Sequence, residues 1–466
     1  MELSKNKIIF FVIIWILWIG ILYGAWKLWK TDTEKTNVPK ELKVWILEND
    51  SHGYDGVIEA FKKANPEYKN TKIVIENQWN YATYAEYEKM LLSTLADGNG
   101  PDIFSVYANG SSYLDNRLEP IPTDILNPEV IQKEYDRLFE ELIVQNISKD
   151  YPGTYIKWIP IWYEGMGVFY NRDIIEKIPL TWNEIDEKFL TMGNTTSVPV
   201  WIGIESSYLP NISDIITLFL LQHGAKSYQD IGDKWATAIN RYLAYGSSNP
   251  LEGTDTNAKN VSYFRDEMKE KKYHIIDLFV GGKIGFILWY PSLATEIEDS
   301  MKRAGIDKTD FTLATEIVPQ FESDKKKQAN LARYWYFAIS KNTKNPYHAA
   351  KFLTFLTTAE AWEAFHKSFP YYIPARIDIQ EKYKNTPLSS KLPRTSLASF
   401  NPKEYSILSR TFNIGNIDTF ETTLHSLLNE SPMKDGQEIA KILSNKILCS
   451  LSKIQGNKDN VSVCTE

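Results

Sequence analysis

Between Leu42 and Val106 the chain alternates three short apolar runs with two helical periodicities, and this rhythm restricts the fold more than any other feature. The runs are Leu42–Leu47 (LKVWIL), Lys72–Glu76 (KIVIE) and Ile103–Val106 (IFSV), each read as a strand. Val57, Ile58 and Phe61 recur at helical spacing before Pro66, which stops that helix. Tyr84, Tyr87, Leu91 and Leu95 share a second helical face, closed by Gly98, Gly100 and Pro101. A βαβαβ order implies a mostly parallel sheet covered by helices. Ligands of such sheets sit beyond the carboxyl ends of the strands. Here those ends are Glu48–Tyr54 and Tyr107–Ser112.

A second constraint precedes this pattern. Ile8–Trp26 is an uncharged, almost wholly apolar run of 19 residues. At a rise of about 1.5 Å per residue it matches a hydrocarbon core of about 30 Å. Lys5 and Lys7 precede it, and Trp26, Lys27, Trp29 and Lys30 follow as interfacial anchors do. Tyr23 and Leu22 fall at the −3 positions of the candidate cleavage sites, where small residues are needed. No Cys follows for lipid attachment. The segment is therefore expected to stay as a single-pass anchor within residues 1–30, with residues 31–41 as a polar linker and the folded body outside the cytoplasm.

Composition removes several classes. The 466 residues suffice for about two or three domain-sized units. With 52 Lys and Arg against 59 Asp and Glu, the net charge of −7 argues against nucleic-acid binding. Two Cys exclude a disulfide scaffold or a Cys-rich metal cluster. No pair among the six His has H-x-x-x-H spacing, and neither a G-x-S-x-G elbow nor a Walker loop occurs. No metal or cofactor is expected.

Further helix starts are marked by Thr181 with Glu184 in capping-box spacing, by Asn345-Pro346, and by Thr357 with Glu360. Lys325–Lys327 reads as a solvated loop. Cys449 lies near the end of an apparent C-terminal helix and Cys464 two residues from the chain end. An extracytoplasmic location permits a bridge between them, pinning the tail; two free thiols are the alternative.

Six segments in order resemble the family 1 extracellular solute-binding proteins of ABC-type importers. They are Phe61–Pro66 (FKKANP), Tyr87–Phe104 (YEKMLLSTLADGNGPDIF), Glu164–Asp173 (EGMGVFYNRD) followed by TWNE, Phe279–Phe286 (FVGGKIGF), Ala338–Glu360 and Tyr372–Arg376 (YIPAR). The resemblance implies an α/β, two-lobed periplasmic-binding-protein-like fold of type II with an interlobe ligand cleft, here preceded by one N-terminal transmembrane helix. Lobe one is then expected over residues 42–158 and 333–375, and lobe two over 165–325 and 400–455. The crossovers fall near Ile159–Tyr163 and just before Arg333. A monomeric receptor delivering a small solute to an ABC-type permease follows.

The same resemblance supplies candidate ligand contacts. Glu164 has the spacing of the acid that accepts sugar hydroxyls in sugar-binding relatives, or it closes a salt bridge at the hinge. Glu205 and Tyr208 stand where an acid–aromatic pair follows a lobe-two strand. Asn109 occupies a polar contact position after P-D-I where some relatives carry Asp, or it is a turn residue. Asn49 and Asp50 face the cleft or cap a helix. Trp289 and Tyr290 lie earlier than the family's usual Trp, whose place is taken by Ser292. Arg333, Tyr334 and Trp335 stand where the family has Gly, so they narrow the cleft; Trp335 otherwise packs in the core. Acids, amides and aromatics together suit a neutral oligosaccharide, because sugar C–H faces rest on aromatic rings. A polyamine would need several acids around it, and an anion would need Arg or helix N-termini. Two alternatives stand beside the importer receptor: a membrane-anchored binding or sensor domain for another small solute such as a polyamine, and, last, a glycoside hydrolase with Glu164 and Glu205 as its pair, in which the protein would be an enzyme.

Overall fold

The computed structural model describes residues 37–47, 51–78, 84–107, 114, 116–135, 145–146, 154–185, 187, 212–225, 233–246, 275–282, 284–306, 312–321, 324, 328–389, 392–401, 407–410, 423–424, 426–427 and 436–455. The expected anchor Ile8–Trp26, the run Lys325–Lys327, and the candidates Asn49, Asp50, Asn109, Glu205, Tyr208 and Cys464 lie outside them. Among the described residues no helix is long and apolar enough to cross a membrane.

The opening rhythm folds as the sequence predicts. β1 (Glu41–Ile46), α1 (Asp55–Ala64), β2 (Lys72–Asn77), α2 (Tyr84–Ala96) and β3 (Ile103–Tyr107) form two crossovers, with β1 parallel to both β2 and β3. The P-D-I signature has a structural cause. Asp102 accepts from the Lys43 backbone N–H at 2.9 Å and from the Thr343 hydroxyl, tying β1 to the segment after the long strand described below. Phe61 of α1 packs at 4.8 Å from the Tyr68 ring, whose hydroxyl is 2.6 Å from His348 Nδ1.

Next come β4 (Leu118–Glu119), α3 (Pro128–Glu134), the paired β5 (Gln145–Asn146) and β6 (Thr154–Tyr155), β7 (Trp158–Gly165) and β8 (Gly167–Asn171). After them lie α4 (Ile212–Gln222), α5 (Asp233–Gly246), α6 (Ile275–Val280), β9 (Phe286–Trp289), α7 (Leu293–Ala304) and β10 (Leu313–Glu316). The chain returns through β11 (Ala329–Ser340) to α8 (Pro346–Phe355), α9 (Ala359–Ser368), β12 (Ile373–Pro374), α10 (Ile377–Tyr383), β13 (Ile407–Arg410) and α11 (Gly436–Gln455).

Two sheets carry the body. The larger has the order β12-β7-β11-β3-β1-β2, with β13 and β4 also pairing to β11. The smaller is antiparallel, β10-β8-β9. All eight residues of β7 are buried, which fits the continuous apolar and aromatic stretch WIPIWY that precedes Glu164. Pro160 is tolerated there because β12 pairs with β7 only at Trp162 and Tyr163. The expected first crossover, Ile159–Tyr163, lies inside β7; the passage between sheets is the single residue Met166. Its N–H donates to Leu331 O at 2.9 Å, and its carbonyl accepts from Asn330 Nδ2 at 2.8 Å. Gly167 follows because a Cβ there would stand 2.5 Å from the ring of Phe400.

The Thr181–Glu184 capping box forms reciprocally: Thr181 N–H donates to Glu184 Oε2 at 3.1 Å, and Glu184 N–H to Thr181 Oγ1 at 3.3 Å. Pro346 opens α8 as expected. One cap is displaced by a residue. Thr358, not Thr357, caps α9, accepting from Ala361 N–H. Both hydroxyls donate back to the preceding helix, Thr357 to Thr354 O at 2.7 Å and Thr358 to Phe355 O at 2.8 Å, but Thr358 has the extended backbone of an N-cap.

His366 of α9 lies against the rings of Trp362 and Tyr383, and burial lowers its pKa from 6.5 to about 4. The unfolded ring takes up its proton first, so the native state loses stability as pH falls from 6.5 towards about 4. The stability difference between the parent and His366→Gln should therefore change across that window and stay flat above about pH 7. Chemical denaturation at a series of pH values measures it; a pH-independent difference would refute the assignment.

Candidate functional site

The carboxyl end of β3 is the natural place to look for a site. In the larger sheet Trp335 of β11 pairs with Tyr107, the last residue of β3. The β7–β11 register shifts by one between Tyr334 and Tyr336, the extra residue lying on β7, where Ile161 and Trp162 stand opposite Trp335. Trp335 is half-buried, whereas Tyr334 is buried.

Behind Trp335 stands a pile of rings. Its indole lies 4.6 Å from Trp162 of β7; Trp162 stacks on Tyr372 at 3.6 Å with 14° between planes; Tyr372 lies nearly parallel to Phe365 of α9 at 5.9 Å. Trp162 and Tyr372 are buried, so the pile holds Trp335 from the core side. Neither Trp162 nor Tyr372 was among the residues expected at the site. The signals available were the uninterrupted apolar run around Trp162 and the Tyr371-Tyr372 doublet, which reads equally well as core.

Two residues along β11 from Trp335, Arg333 lies directly opposite Glu164 in the antiparallel register. Glu164 is 1% exposed and the Arg333 side chain 21% exposed. Arg333 Nε and Nη2 each lie 2.9 Å from Glu164 Oε2. Glu164 Oε1 accepts from the Ser292 N–H at 2.9 Å, at the start of α7, where a carboxylate meets the positive end of the helix dipole. Arg333 Nη2 also donates to Ser292 Oγ at 3.2 Å. In the structure both of these Glu164 oxygens are engaged within the protein, one by Arg333 and one by the Ser292 N–H.

The aromatic candidates on β9 have similar fates. Trp289 is 5% exposed and Tyr290 fully buried. The Arg333 guanidinium lies 3.9 Å from the Tyr290 ring centroid and occupies that face. The Tyr290 hydroxyl donates to Asp214 Oδ2 of α4 at 2.8 Å. Burial raises the Asp214 carboxyl above the ordinary carboxylate range, opposed by Arg333 and by the Tyr290 bond. Asp214 and Ser292 complete the cluster and were not expected as site residues; they come from elements distant in sequence. The described residues thus bring together Glu164, Arg333, Tyr290 and Trp335, while Trp289 and Tyr334 pack beside them.

The pair's two ends differ in depth, which sets the cost of breaking it. Removing one partner of a buried pair strands the other charge, at about 3–5 kcal/mol. Arg333→Ala strands the deeply buried Glu164. Glu164→Ala strands an arginine that keeps some water contact. Arg333→Ala should therefore be the more destabilising, measured by urea unfolding; the reverse order would show that the carboxylate is not the deeper end.

The model of the family described as bacterial extracellular solute-binding protein matches residues 56–391. A comparison with curated proteins finds none that matches. Among solved structures, an ABC transporter solute-binding protein from Thermotoga lettingae bound with alpha-D-tagatose is similar at 16% identity and a TM-score of 0.60, covering 89% of this chain and 100% of that one. The maltose-binding periplasmic protein of Listeria monocytogenes in complex with maltose is similar at 18% identity and a TM-score of 0.60, covering 89% of this chain and 98% of that one. At these identities the likeness shows a shared mixed α/β fold. The family match spans well over half of the chain, and the chain belongs to the bacterial extracellular solute-binding proteins.

Proposed function

We propose that the protein is the substrate-binding receptor of an ABC-type importer, binding a neutral carbohydrate without turnover and delivering it to a permease. The observation that carries this reading is Trp335, a half-buried indole at the carboxyl end of β3, held by stacked rings. A sugar's C–H face gains about 1 kcal/mol on such a ring beyond area burial. The neighbouring Glu164 is paired with Arg333, so it offers no free carboxylate to a polyamine. Two similar structures hold tagatose and maltose. The larger sheet belongs to one lobe and the smaller to the other, with Glu205, Tyr208, Asn109, Asn49 and Asp50 completing the cleft. A glycosidase reading loses support because the pairing of Glu164 with Arg333 leaves it poorly placed as a proton donor.

Thermal unfolding with maltose, tagatose, spermidine and phosphate tests the solute class. A sugar at about 100 times its Kd adds about 2.7 kcal/mol of stability. A shift with spermidine and none with any sugar would overturn the carbohydrate reading, and released product after incubation with an oligosaccharide would overturn binding without turnover.

The reading extends to the ends of the chain: Ile8–Trp26 stays as the anchor, and Cys449 pairs with Cys464. Cys449 and Cys464 are the chain's two cysteines, and a bridge between them would close a short C-terminal loop. Intact mass of native protein decides both. The expected result is the full-length mass with a gain of about 2 Da on reduction, as one S–S bond becomes two thiols. A start between residues 24 and 35 would show cleavage, and no gain on reduction would rule out the bridge.

A further inference from the structure

The geometry points to Glu164 and Arg333 as a hinge brace: an ion pair on the larger sheet that reaches across to the smaller sheet's unit and holds the angle between them without any bound solute. The cluster spans the two units at their covalent junction. Glu164 is the penultimate residue of β7, two residues before Met166, and Arg333 lies opposite it on β11. Ser292 and Tyr290 belong to the other unit, just after β9, whose Trp289 pairs with Gly167 on the far side of the same passage.

Three contacts cross the junction. The Ser292 N–H donates to Glu164 Oε1, Arg333 Nη2 donates to Ser292 Oγ, and the guanidinium lies on the Tyr290 ring. Tyr290 is itself fixed from behind through Asp214. A change in the angle between the sheets must lengthen these contacts together, because Glu164 is 1% exposed and has no water to turn to. Hinge residues absorb the backbone rotation of domain closure. Here the hinge is stiffened by side chains. Arg333 is thus a positioning residue rather than a solute contact.

The consequence for affinity rests on the solute-receptor reading. A receptor whose competent state is already populated loses little affinity to the conformational equilibrium. Without the brace that fraction drops, and the apparent Kd for maltose should rise about tenfold.

The test is a double variant, Glu164→Met with Arg333→Met. Exchanging both charges for apolar residues strands neither one and commonly preserves folding. Spin labels at the exposed positions Glu59 of α1 and Lys302 of α7, incorporated by a route that spares Cys449, report the separation of the units. Pulsed dipolar spectroscopy on the full-length chain in detergent, without solute, should give one narrow distance distribution for the parent and a longer, broader one for the variant. Identical distributions overturn the brace. Ser292→Ala keeps the ion pair and loses one crossing bond; it should broaden the distribution less, and it decides the question if the double variant does not fold. Maltose added afterwards addresses the other reading separately. If the solute-free distances differ as expected and maltose alters neither protein, the brace stands and maltose is not the solute.

Discussion

The antiparallel pairing of β7 with β11 is the constraint on which the rest of the structure depends. β11 is twelve residues long and serves as partner to β3, β4, β7 and β13, so it joins the parallel β1–β2–β3 unit to the returning chain. β7 continues through one residue into β8, the middle strand of the smaller sheet. Both ladders therefore meet where the chain changes sheets. Met166 lies at that point, hydrogen-bonded to Leu331 and Asn330. A backbone passage buried this deeply must find partners for its N–H and C=O groups, and the side-chain amide of Asn330 supplies one of them.

From that pairing follows the placement of charge. Register puts Glu164 opposite Arg333, and cross-strand opposition of unlike charges is favourable. A buried ion pair is not by itself a source of stability, since desolvation offsets much of the Coulomb attraction. Its value here is geometric. The carboxylate also accepts from the start of α7, and the guanidinium covers Tyr290, so one pair fixes the relation of three elements. The same guanidinium also lies 5.5 Å from the half-buried Trp335 ring, so the pair borders that indole as well.

Much of the fold was legible in the sequence because its signals are local. Strand and helix in the first unit follow hydrophobic period, and their ends fall at Pro66, Gly98 and Pro101, where backbone chemistry stops an element. The Thr181–Glu184 box was readable for the same reason: both partners lie within one turn. The displaced cap shows the limit. Thr357 and Thr358 are adjacent hydroxyls, and which one caps α9 depends on where α8 ends, a matter of packing rather than of spacing.

The sequence by itself determined the α/β class, the parallel first unit and the family, since periodicity and short motifs need no knowledge of distant contacts. It also named Glu164, Arg333, Tyr290 and Trp335 individually. Only the tertiary structure decided their roles. Glu164 and Arg333 stand 169 positions apart, and Tyr290 and Asp214 stand 76 apart. Whether an acid offers its oxygens to a solute or to an arginine is settled by strand register, because one slipped residue would turn the side chain to the other face. Whether an aromatic is a platform or a buried wall depends on what covers it: Arg333 covers the buried Tyr290, while Trp335, two residues along β11 on the same face as Arg333, stays half-buried. Charge pairing, register and burial are relations between residues that folding alone brings together.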